Sequence, residues 1–262
     1  MKTLLICHDG AELDLVVLAR WLNSFSSLVG IVIIQEPRSR VLRRMRREVK
    51  RIGTLRFLDV LAFRLYYGIF LGGKDRRWER QQLEQWCLKY PEIAQDTEIL
   101  KTSNPNTPQT EAFIRRLNPD MVLARCKVLL KENIFSIPAK GTFVMHPGVC
   151  PEYRNAHGCF WALAQRDLNK VGMTLLKIDR GVDTGPVFGY YNYAFDEARE
   201  SHIVIQQRVV LENLDALREK LLEIGTGTAT PLNTSGRSSN EWGQPWLTKY
   251  LEWKSSAKRM PR

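Results

Sequence analysis

The stretch TLLICHDGAELDLVVLARWLNSFSSLVGIVII, residues 3–34, holds two short apolar runs with a patterned segment between them. Residues 3–7 and 28–34 have the length and composition of buried strands. Residues 12–23, ELDLVVLARWLN, repeat their apolar side chains with helical spacing. Because a helix that joins two neighbouring strands makes them parallel, this stretch predicts an α/β fold with an open, doubly wound, mostly parallel sheet.

The same alternation returns in the second half of the chain. We predict strands at 121–124, 142–145, 173–178 and 186–191, and helices at 109–116, 157–165 and 201–224. After residue 226 the sequence is rich in Thr, Ser, Gly and Pro, which predicts an irregular tail anchored at 242–253. We therefore expect a Rossmann-like domain at 1–195, followed by a short C-terminal helix and tail at 196–262.

Residues 36 to about 80 interrupt the alternation and carry most of the net charge of +11. The segment 36–53 has eight basic and two acidic residues, and 254–262 adds four basic ones. An apolar, aromatic-rich segment follows at 54–73, which predicts a helical basic insertion. One interpretation is a helical hairpin packed on its own domain, with solvated arginines. The other is contact of 36–73 with an anionic membrane surface or an acidic partner.

The five cysteines are scattered, and none forms a C-x-x-C pair. This usage is typical of reduced thiols in a cytoplasmic protein. Cys150 and Cys159 lack the spacing of zinc ligands, so we expect no metal site. The apolar run near the N-terminus spans only five residues, which predicts no signal peptide. The expected location is the cytoplasm, or its membrane surface if the insertion binds there.

Two polar residues follow predicted strands at the edge where such sheets bind ligands. His146 comes directly after the strand at 142–145, and Asp183 follows the strand at 173–178. In doubly wound sheets ligands bind at the carboxyl ends of strands. An imidazole beside a carboxylate forms a proton-transfer pair near neutral pH. The two residues are therefore our candidate catalytic pair.

The segments around this pair resemble those of a known family. HPGVCPEYR at 146–154, followed by DRGVDTGPV at 179–187, is similar to the two-part motif of the formyltransferases that use 10-formyltetrahydrofolate. This family includes glycinamide ribonucleotide, methionyl-tRNA and sugar N-formyltransferases. NPDMVLARCKVLL at 118–130 is similar to the family's strand and folate loop. The resemblance is close over residues 100–195 and weak over the N-terminal unit.

The resemblance implies roles for individual residues. His146 matches the catalytic histidine, and Asp183 matches the carboxylate that assists proton transfer through water. The backbone groups expected to hold the pterin of 10-formyltetrahydrofolate belong to Lys127, Val128, Leu129, Gly181 and Val182. The reaction is attack of an amine on the formyl carbon, which needs stabilisation of an oxyanion and a path for the amine proton.

One position departs from the family pattern. Val144 stands where the family has an asparagine, and a valine side chain cannot donate a hydrogen bond to the formyl oxygen. Asn155 or His157 could supply the missing donor, or His146 could act alone. Alternatively, the chain has lost formyl transfer and only binds a ligand or partner. Arg154 is a candidate for binding an anionic part of the substrate, such as phosphate.

These observations favour a formyltransferase that modifies a small amine, with an amino sugar or a nucleotide-linked sugar as the expected acceptor. The segment after residue 193 is too short and irregular for the β-barrel that methionyl-tRNA formyltransferases carry. A tRNA acceptor stays open because the basic insertion offers phosphate contacts. Hydrolysis of the formyl folate, with water as the acceptor, is a further alternative. The sequence does not define the oligomeric state.

Overall fold

The computed structural model describes residues 1–259, apart from the side chain of Arg38. The strands are β1 (Lys2–His8), β2 (Ser27–Ile34), β3 (Glu98–Thr102), β4 (Met121–Arg125), β5 (Gly141–His146), β6 (Arg154–Asn155), β7 (Met173–Lys177), β8 (Val187–Tyr191) and β9 (Glu241–Trp242). Seven of them form one sheet in the order β3-β2-β1-β4-β5-β7-β8, and β6 pairs with β9 separately. Residues 260–262, the end of the predicted basic tail, lie outside the described residues.

The sheet is wound in both directions from its centre. β1 pairs in parallel with β2 on one side and with β4 on the other, and β3 and β5 extend the parallel part. β7 and β8 are antiparallel additions beyond β5. The predicted fold class is therefore confirmed. The carboxyl ends of β1, β4 and β5 lie side by side, where a doubly wound sheet forms its ligand crevice.

The central strands are buried on both faces, which explains their unbroken apolar runs. Leu5 belongs to the large cluster that contains Trp21 and Phe160. Its neighbour Ile6 points to the other face and packs in a smaller cluster with Ile114. All these side chains are fully buried, so the sheet is covered by helices on both sides.

Helices cover the sheet and form the insertion. They are α1 (Leu18–Asn23), α2 (Arg38–Ile52), α3 (Thr54–Tyr66), α4 (Gly72–Lys89), α5 (Pro108–Leu117), α6 (Glu132–Phe135), α7 (Gly158–Ala164), α8 (His202–Leu211), α9 (Leu214–Thr226) and α10 (Leu247–Arg259). Wide turns of π geometry at Leu13–Val17 and Tyr67–Leu71 precede α1 and α4. The predicted βαβ unit and the helical insertion are both present.

The C-terminal part differs from the expectation. The single helix predicted at 201–224 is wrong, because α8 and α9 are separated at 212–213. The Asn213 amide donates to the carbonyls of Val209 (2.8 Å) and Asn192 (3.0 Å), so this side chain competes with the helical hydrogen-bond pattern. The irregular tail is also wrong in part, since α10 is a regular helix that buries Tyr250 and Trp253.

Strand β3 is an element that the sequence pattern did not reveal. Its residues, EILKT, alternate between half-buried and exposed positions at the edge of the sheet. Such a strand lacks the long apolar run of a central strand, and it follows the long α4 without a strong turn signal. It pairs in parallel with β2 and completes the sheet on that side.

The insertion folds against the C-terminal helix. α2 and α3 are joined by Gly53 alone, whose φ of 82° lies in the left-handed region. α3 buries Val60 and Phe63, and the Phe63 ring lies 5.2 Å from that of Tyr250 in α10. The backbone N–H of Thr248 donates to Asp59 at 3.1 Å. Among the described helices, none is both long and apolar enough to cross a membrane.

Candidate active site

His146 is the last residue of β5 and is nearly buried, with 4% of its surface exposed. Its Nδ1 lies 3.3 Å from Oδ2 of Asp183, and its Nε2 lies 2.9 Å from the carbonyl oxygen of Tyr153. Both ring nitrogens thus face oxygen acceptors. A neutral ring donates to only one of them, so the second acceptor is ready when the ring takes up a proton. The sequence-predicted pair is brought together.

Two glycines let the turn after β5 fold back onto this histidine. A Cβ placed on Gly148 would lie 2.5 Å from the Tyr153 carbonyl oxygen and 2.8 Å from His146 Nε2. A Cβ on Gly158 would lie 2.5 Å from the Cα of Gly148. No larger residue fits at either position without moving backbone. The turn-forming residues between β5 and α7 therefore enclose the histidine ring.

Asp183 lies in a tight loop at 179–185. The carboxylate of Asp179 accepts hydrogen bonds from the backbone N–H of Gly181 (2.9 Å) and from the hydroxyl of Thr184 (2.8 Å). Oδ2 of Asp183 also accepts the backbone N–H of Asn155 at 2.8 Å. The loop therefore holds the Asp183 carboxylate between the histidine ring and the turn after β5.

The side chains of Asn155 and Arg154 do not join this pair. The Asn155 amide donates to the carbonyl of Trp242 (2.7 Å) and to Glu241 (3.1 Å) on β9. In this structure its amide is therefore engaged with β9 and not with His146 or Asp183. Arg154 donates to the Val182 carbonyl (2.8 Å) and to Ser239 (2.9 Å). Two of its N–H groups therefore connect the turn after β5 to the loop at 179–185 and to Ser239.

Val144 lies on the same face of β5 as His146, since side chains two residues apart point to the same side. It is partly buried against a small apolar cluster of Cys150, Leu176, Val187 and Tyr190. It is also the one half-buried residue of β5, whose other residues are buried. The position of the family asparagine is thus accessible but apolar.

His157 lies just before α7 in a left-handed conformation, with φ of 56°. Burial of the ring lowers its pKa to about 4, and the nearby positive charge of Lys127 acts in the same direction. Its Nδ1 is buried and has no hydrogen-bond partner among residues 1–259. At neutral pH this residue is an uncharged group near the site, so it offers a substrate phosphate no positive charge.

The two loops expected to hold the pterin lie at the same edge of the sheet. Asn106 fixes the first, because its amide donates to the Leu129 carbonyl (2.9 Å) and accepts the backbone N–H of Lys131 (2.7 Å). An ion pair between Arg180 and Glu132 (2.7 Å) joins the second loop to α6. Within residues 1–259, the backbone N–H groups of Val128, Leu129 and Val182, which belong to these loops, donate to no protein acceptor. These loops fit a flat ligand held by backbone groups.

A pocket of about 400 Å³ opens beside these loops, at the ends of β1 and β2. It is lined by His8, Asp9, Ile34, Gln35, Glu36 and Lys127. His8 Nε2 accepts the backbone N–H of Lys127 at 2.9 Å, and the Gln35 amide donates to Asp9 at 3.1 Å. Burial and the charge of Lys127 lower the pKa of His8, so its ring is neutral at pH 7.

Apart from Lys127, our sequence reasoning missed these pocket residues. The signal was present, because His8 ends β1 as His146 ends β5, and Asp9 follows directly. It also missed Arg125, which ends β4 and is largely buried. Arg125 donates to the Met145 carbonyl (2.6 Å) and to Asp14 (3.0 Å), and so fixes the backbone beside His146.

Comparisons with known proteins agree with this arrangement. The sequence model described as formyl transferase matches residues 74–219. The methionyl-tRNA formyltransferase of Caldanaerobacter subterraneus is 26% identical over 159 residues, which are 59% of this chain and 50% of that protein. That of Dehalococcoides mccartyi is 35% identical over 82 residues, 31% of this chain and 26% of that protein. The chain thus spans about half or less of the length of these relatives.

Solved structures share the fold along nearly the whole chain. A sugar N-formyltransferase from Shewanella has a TM-score of 0.55 at 13% identity. The aligned region covers 97% of this chain and 87% of that protein's chain. A phosphoribosylglycinamide formyltransferase from Anaplasma phagocytophilum has a TM-score of 0.53 at 12% identity. The aligned region covers 92% of this chain and 96% of that protein's chain.

The doubly wound sheet and the matched segment together indicate an α/β protein of the class that transfers one-carbon groups. Within that class, this chain belongs to the formyl transferase family. Members of the family take the formyl group from a formyl-tetrahydrofolate.

Proposed function

We propose that this protein transfers a formyl group from 10-formyltetrahydrofolate to the amine of an amino sugar or a nucleotide-linked sugar. The observation that carries the proposal is the contact of 3.3 Å between His146 Nδ1 and Asp183 Oδ2 at the ligand-binding edge of the sheet. This pair lies where a doubly wound sheet binds its ligands. It combines a proton acceptor with a group that orients it.

In this proposal the amine nitrogen forms a bond to the formyl carbon, and the bond from that carbon to the folate nitrogen breaks. The amine proton passes to the His146–Asp183 pair and leaves with the folate nitrogen. Asp183 is the more exposed member, with 16% of its side chain accessible against 5% for His146. The carboxylate is therefore the group that reaches the amine, directly or through water, while the histidine holds it in place.

The donor is proposed to bind between the two loops beside this pair. Backbone groups of Val128, Leu129 and Val182 would hold the pterin, together with those of Lys127 and Gly181. Unpartnered N–H groups in Val128, Leu129 and Val182 support this assignment, because they can donate to the acceptor atoms of the ring. The 10-formyl group supplies the one-carbon unit.

The acceptor is proposed to bind in the pocket at the ends of β1 and β2. β4 lies between β1 and β5, so the pocket lies about 10 Å from His146, two strand spacings away. An acceptor that fills both places must carry polar groups about that far from its amine. Lys127 and Gln35 offer donors, and Asp9 offers an acceptor for hydroxyl groups. A nucleotide-linked amino sugar has this length and polarity.

The proposal is tested by supplying pure protein with 10-formyltetrahydrofolate and measuring release of tetrahydrofolate. We expect turnover with a nucleotide-linked amino sugar and none without an amine. Turnover with methionyl-tRNA but with no amino sugar would replace the proposed acceptor, since the curated relatives in other organisms act on that substrate. Formate release without any amine would indicate a hydrolase.

Val144 provides a second test. Replacing it with asparagine restores a side-chain donor at the accessible position on the histidine face, so we expect the turnover rate to rise about tenfold or more. Placing an amide against the apolar cluster should lower the free energy of unfolding by about 1–3 kcal/mol. Steady-state kinetics and thermal melting measure the two effects. The control Val144→Leu adds no donor and should not raise the rate.

A fall in rate for Val144→Asn, with Val144→Leu unchanged, would mean that the site needs an apolar group there. No turnover by the parent protein with any amine would instead favour the second candidate function, a family member that binds a folate without transferring its formyl group. Titration with 5-formyltetrahydrofolate by calorimetry separates the cases. About micromolar affinity together with no turnover would establish binding alone, and no binding at about millimolar ligand would remove the folate site.

A further inference from the structure

We propose that the insertion and the adjoining end of α10 form a surface that binds an anionic lipid bilayer. The first observation is an apolar stripe along α3 and the π turn after it. Its side chains are between 37% and 82% exposed and consist of Leu55, Leu58, Leu61, Leu65, Ile69 and Phe70. The first five recur every three or four residues, so they share one face of the helix, and Phe70 directly follows Ile69. This face is opposite to the one that buries Val60 and Phe63.

The stripe lies open to solvent in the described part of the chain. α3 already packs its buried face against α2 and α10, so the exposed leucines add nothing to the core of the chain. Sixteen helical residues extend over about 24 Å, which is a long apolar surface for a protein of this size. An apolar face of this length, open to solvent, marks an interaction surface.

Unpaired positive charge lies on α2, the helix that packs against α3. Four exposed side chains of α2 have no ion-pair partner within residues 1–259, namely Arg43, Arg46, Arg47 and Lys50. The acidic groups of the two helices are already occupied. Glu48 pairs with Arg51 (2.6 Å), and Asp59 binds Thr248. The surface therefore offers cations and no free carboxylate.

A second patch of positive charge lies at the other end of the stripe. Tyr66, whose ring is 4.9 Å from that of Phe70, lines a pocket of about 440 Å³ between α3, α4 and α10. Lys74, Arg199 and Lys258 are exposed at this pocket. The carboxylates of Asp75 and Glu200 also line it, and they already accept hydrogen bonds from Ser201 and Arg208. A headgroup phosphate in this pocket would have several cations around it while acyl chains contact the stripe.

The positive charge of this surface favours an anionic bilayer over a second copy of the chain. Two copies of the chain joined through this face would bring unpaired arginines of both copies together, and like charges oppose such a contact. A bilayer with anionic headgroups offers opposite charge and an apolar layer at once. Because no described helix spans a membrane, the contact would be interfacial, with the stripe lying along the headgroup boundary.

Sedimentation of the full chain with lipid vesicles tests the proposal. We expect binding to vesicles of phosphatidylcholine with phosphatidylserine to be about tenfold or more tighter than to phosphatidylcholine alone, and to weaken as salt is raised. Equal binding to both vesicles, or none to either, would overturn the proposal.

Two variants and matched controls locate the surface. Leu65→Glu combined with Ile69→Glu, and Arg46→Glu combined with Arg47→Glu, should each lower vesicle binding about tenfold or more. Leu88, on α4, is 90% exposed, so Leu88→Glu is the control for the apolar change. Lys101→Glu with Lys140→Glu alters the charge equally at distant exposed sites. Both controls should bind as the parent protein does.

Unchanged binding of the two surface variants would overturn the assignment, as would a loss shared by both controls. A dimer in sedimentation velocity that Leu65→Glu dissociates, without vesicle binding, would assign the face to self-association instead. Formyl transfer does not use these residues, so it should be the same in all variants without lipid. A failed lipid test therefore leaves the proposed function unaffected.

Discussion

Replacing His146 with glutamine is expected to lower formyl transfer by about two to four orders of magnitude. The glutamine amide keeps a polar group in the space but cannot take up a proton. It also loses the contact that holds Asp183 Oδ2 at 3.3 Å. Initial rates at saturating 10-formyltetrahydrofolate and a range of acceptor concentrations measure the loss. We expect it mainly in kcat, because the ring does not line the acceptor pocket.

Binding of 5-formyltetrahydrofolate is the control for this substitution. It should change little, since the proposed pterin contacts come from backbone groups of two loops. A His8→Gln variant is a matched comparison, because His8 also ends a strand at this edge but lies in the acceptor pocket. Its effect should fall mainly on KM for the acceptor. Full turnover by His146→Gln would show that the pair does not transfer the proton.

Replacing Gly148 with alanine is the second change with a large expected effect. The new methyl group would lie 2.5 Å from the Tyr153 carbonyl and 2.8 Å from His146 Nε2, and its third neighbour is the Cα of Gly158 at 2.9 Å. Two of these neighbours are backbone, so the turn itself must shift. We expect the free energy of unfolding to fall by about 2–3 kcal/mol. Since the shift also displaces the histidine, turnover should fall about a hundredfold.

Gly73→Ala is the matched control for this substitution. Gly73 lies in α4, and a Cβ there would meet no atom within 4 Å. Because alanine favours the helix over glycine, stability should stay the same or rise by about 0.5–1 kcal/mol. Denaturant unfolding of both variants provides the comparison. If Gly148→Ala is as stable and as active as Gly73→Ala, the turn does not enclose His146 as tightly as these distances require.

Much of the fold could be predicted from the sequence because its central strands are long apolar runs. Burial on both faces requires nearly continuous apolar residues, and this composition is visible in the sequences of β1, β2, β4 and β5. β3 is an edge strand with alternating exposure, so its five residues carry a weaker signal. The break between α8 and α9 depends on Asn213, whose partner at Asn192 is distant in sequence.

The candidate site, like the fold, could be predicted only in part. His146 and Asp183 could be found because the first ends a buried strand, the second lies in the loop that follows one, and both belong to a recognisable motif. The side chains of Arg154 and Asn155 could not be placed, because their partners Ser239 and Trp242 lie more than eighty residues further along the chain. Pairing of two-residue strands over that distance leaves no periodic pattern in the sequence.

The pairing of β6 with β9 has a consequence for the order in which the molecule is built. The sheet and its ligand-binding edge can form once residue 191 has emerged from the ribosome, since β8 ends there. Arg154–Asn155 provides the backbone N–H that donates to Asp183. This segment can pair as β6 only after Glu241–Trp242 has been synthesised. During synthesis the nascent chain therefore acquires the sheet first and the finished geometry of its candidate reaction centre only after residue 242 has been added.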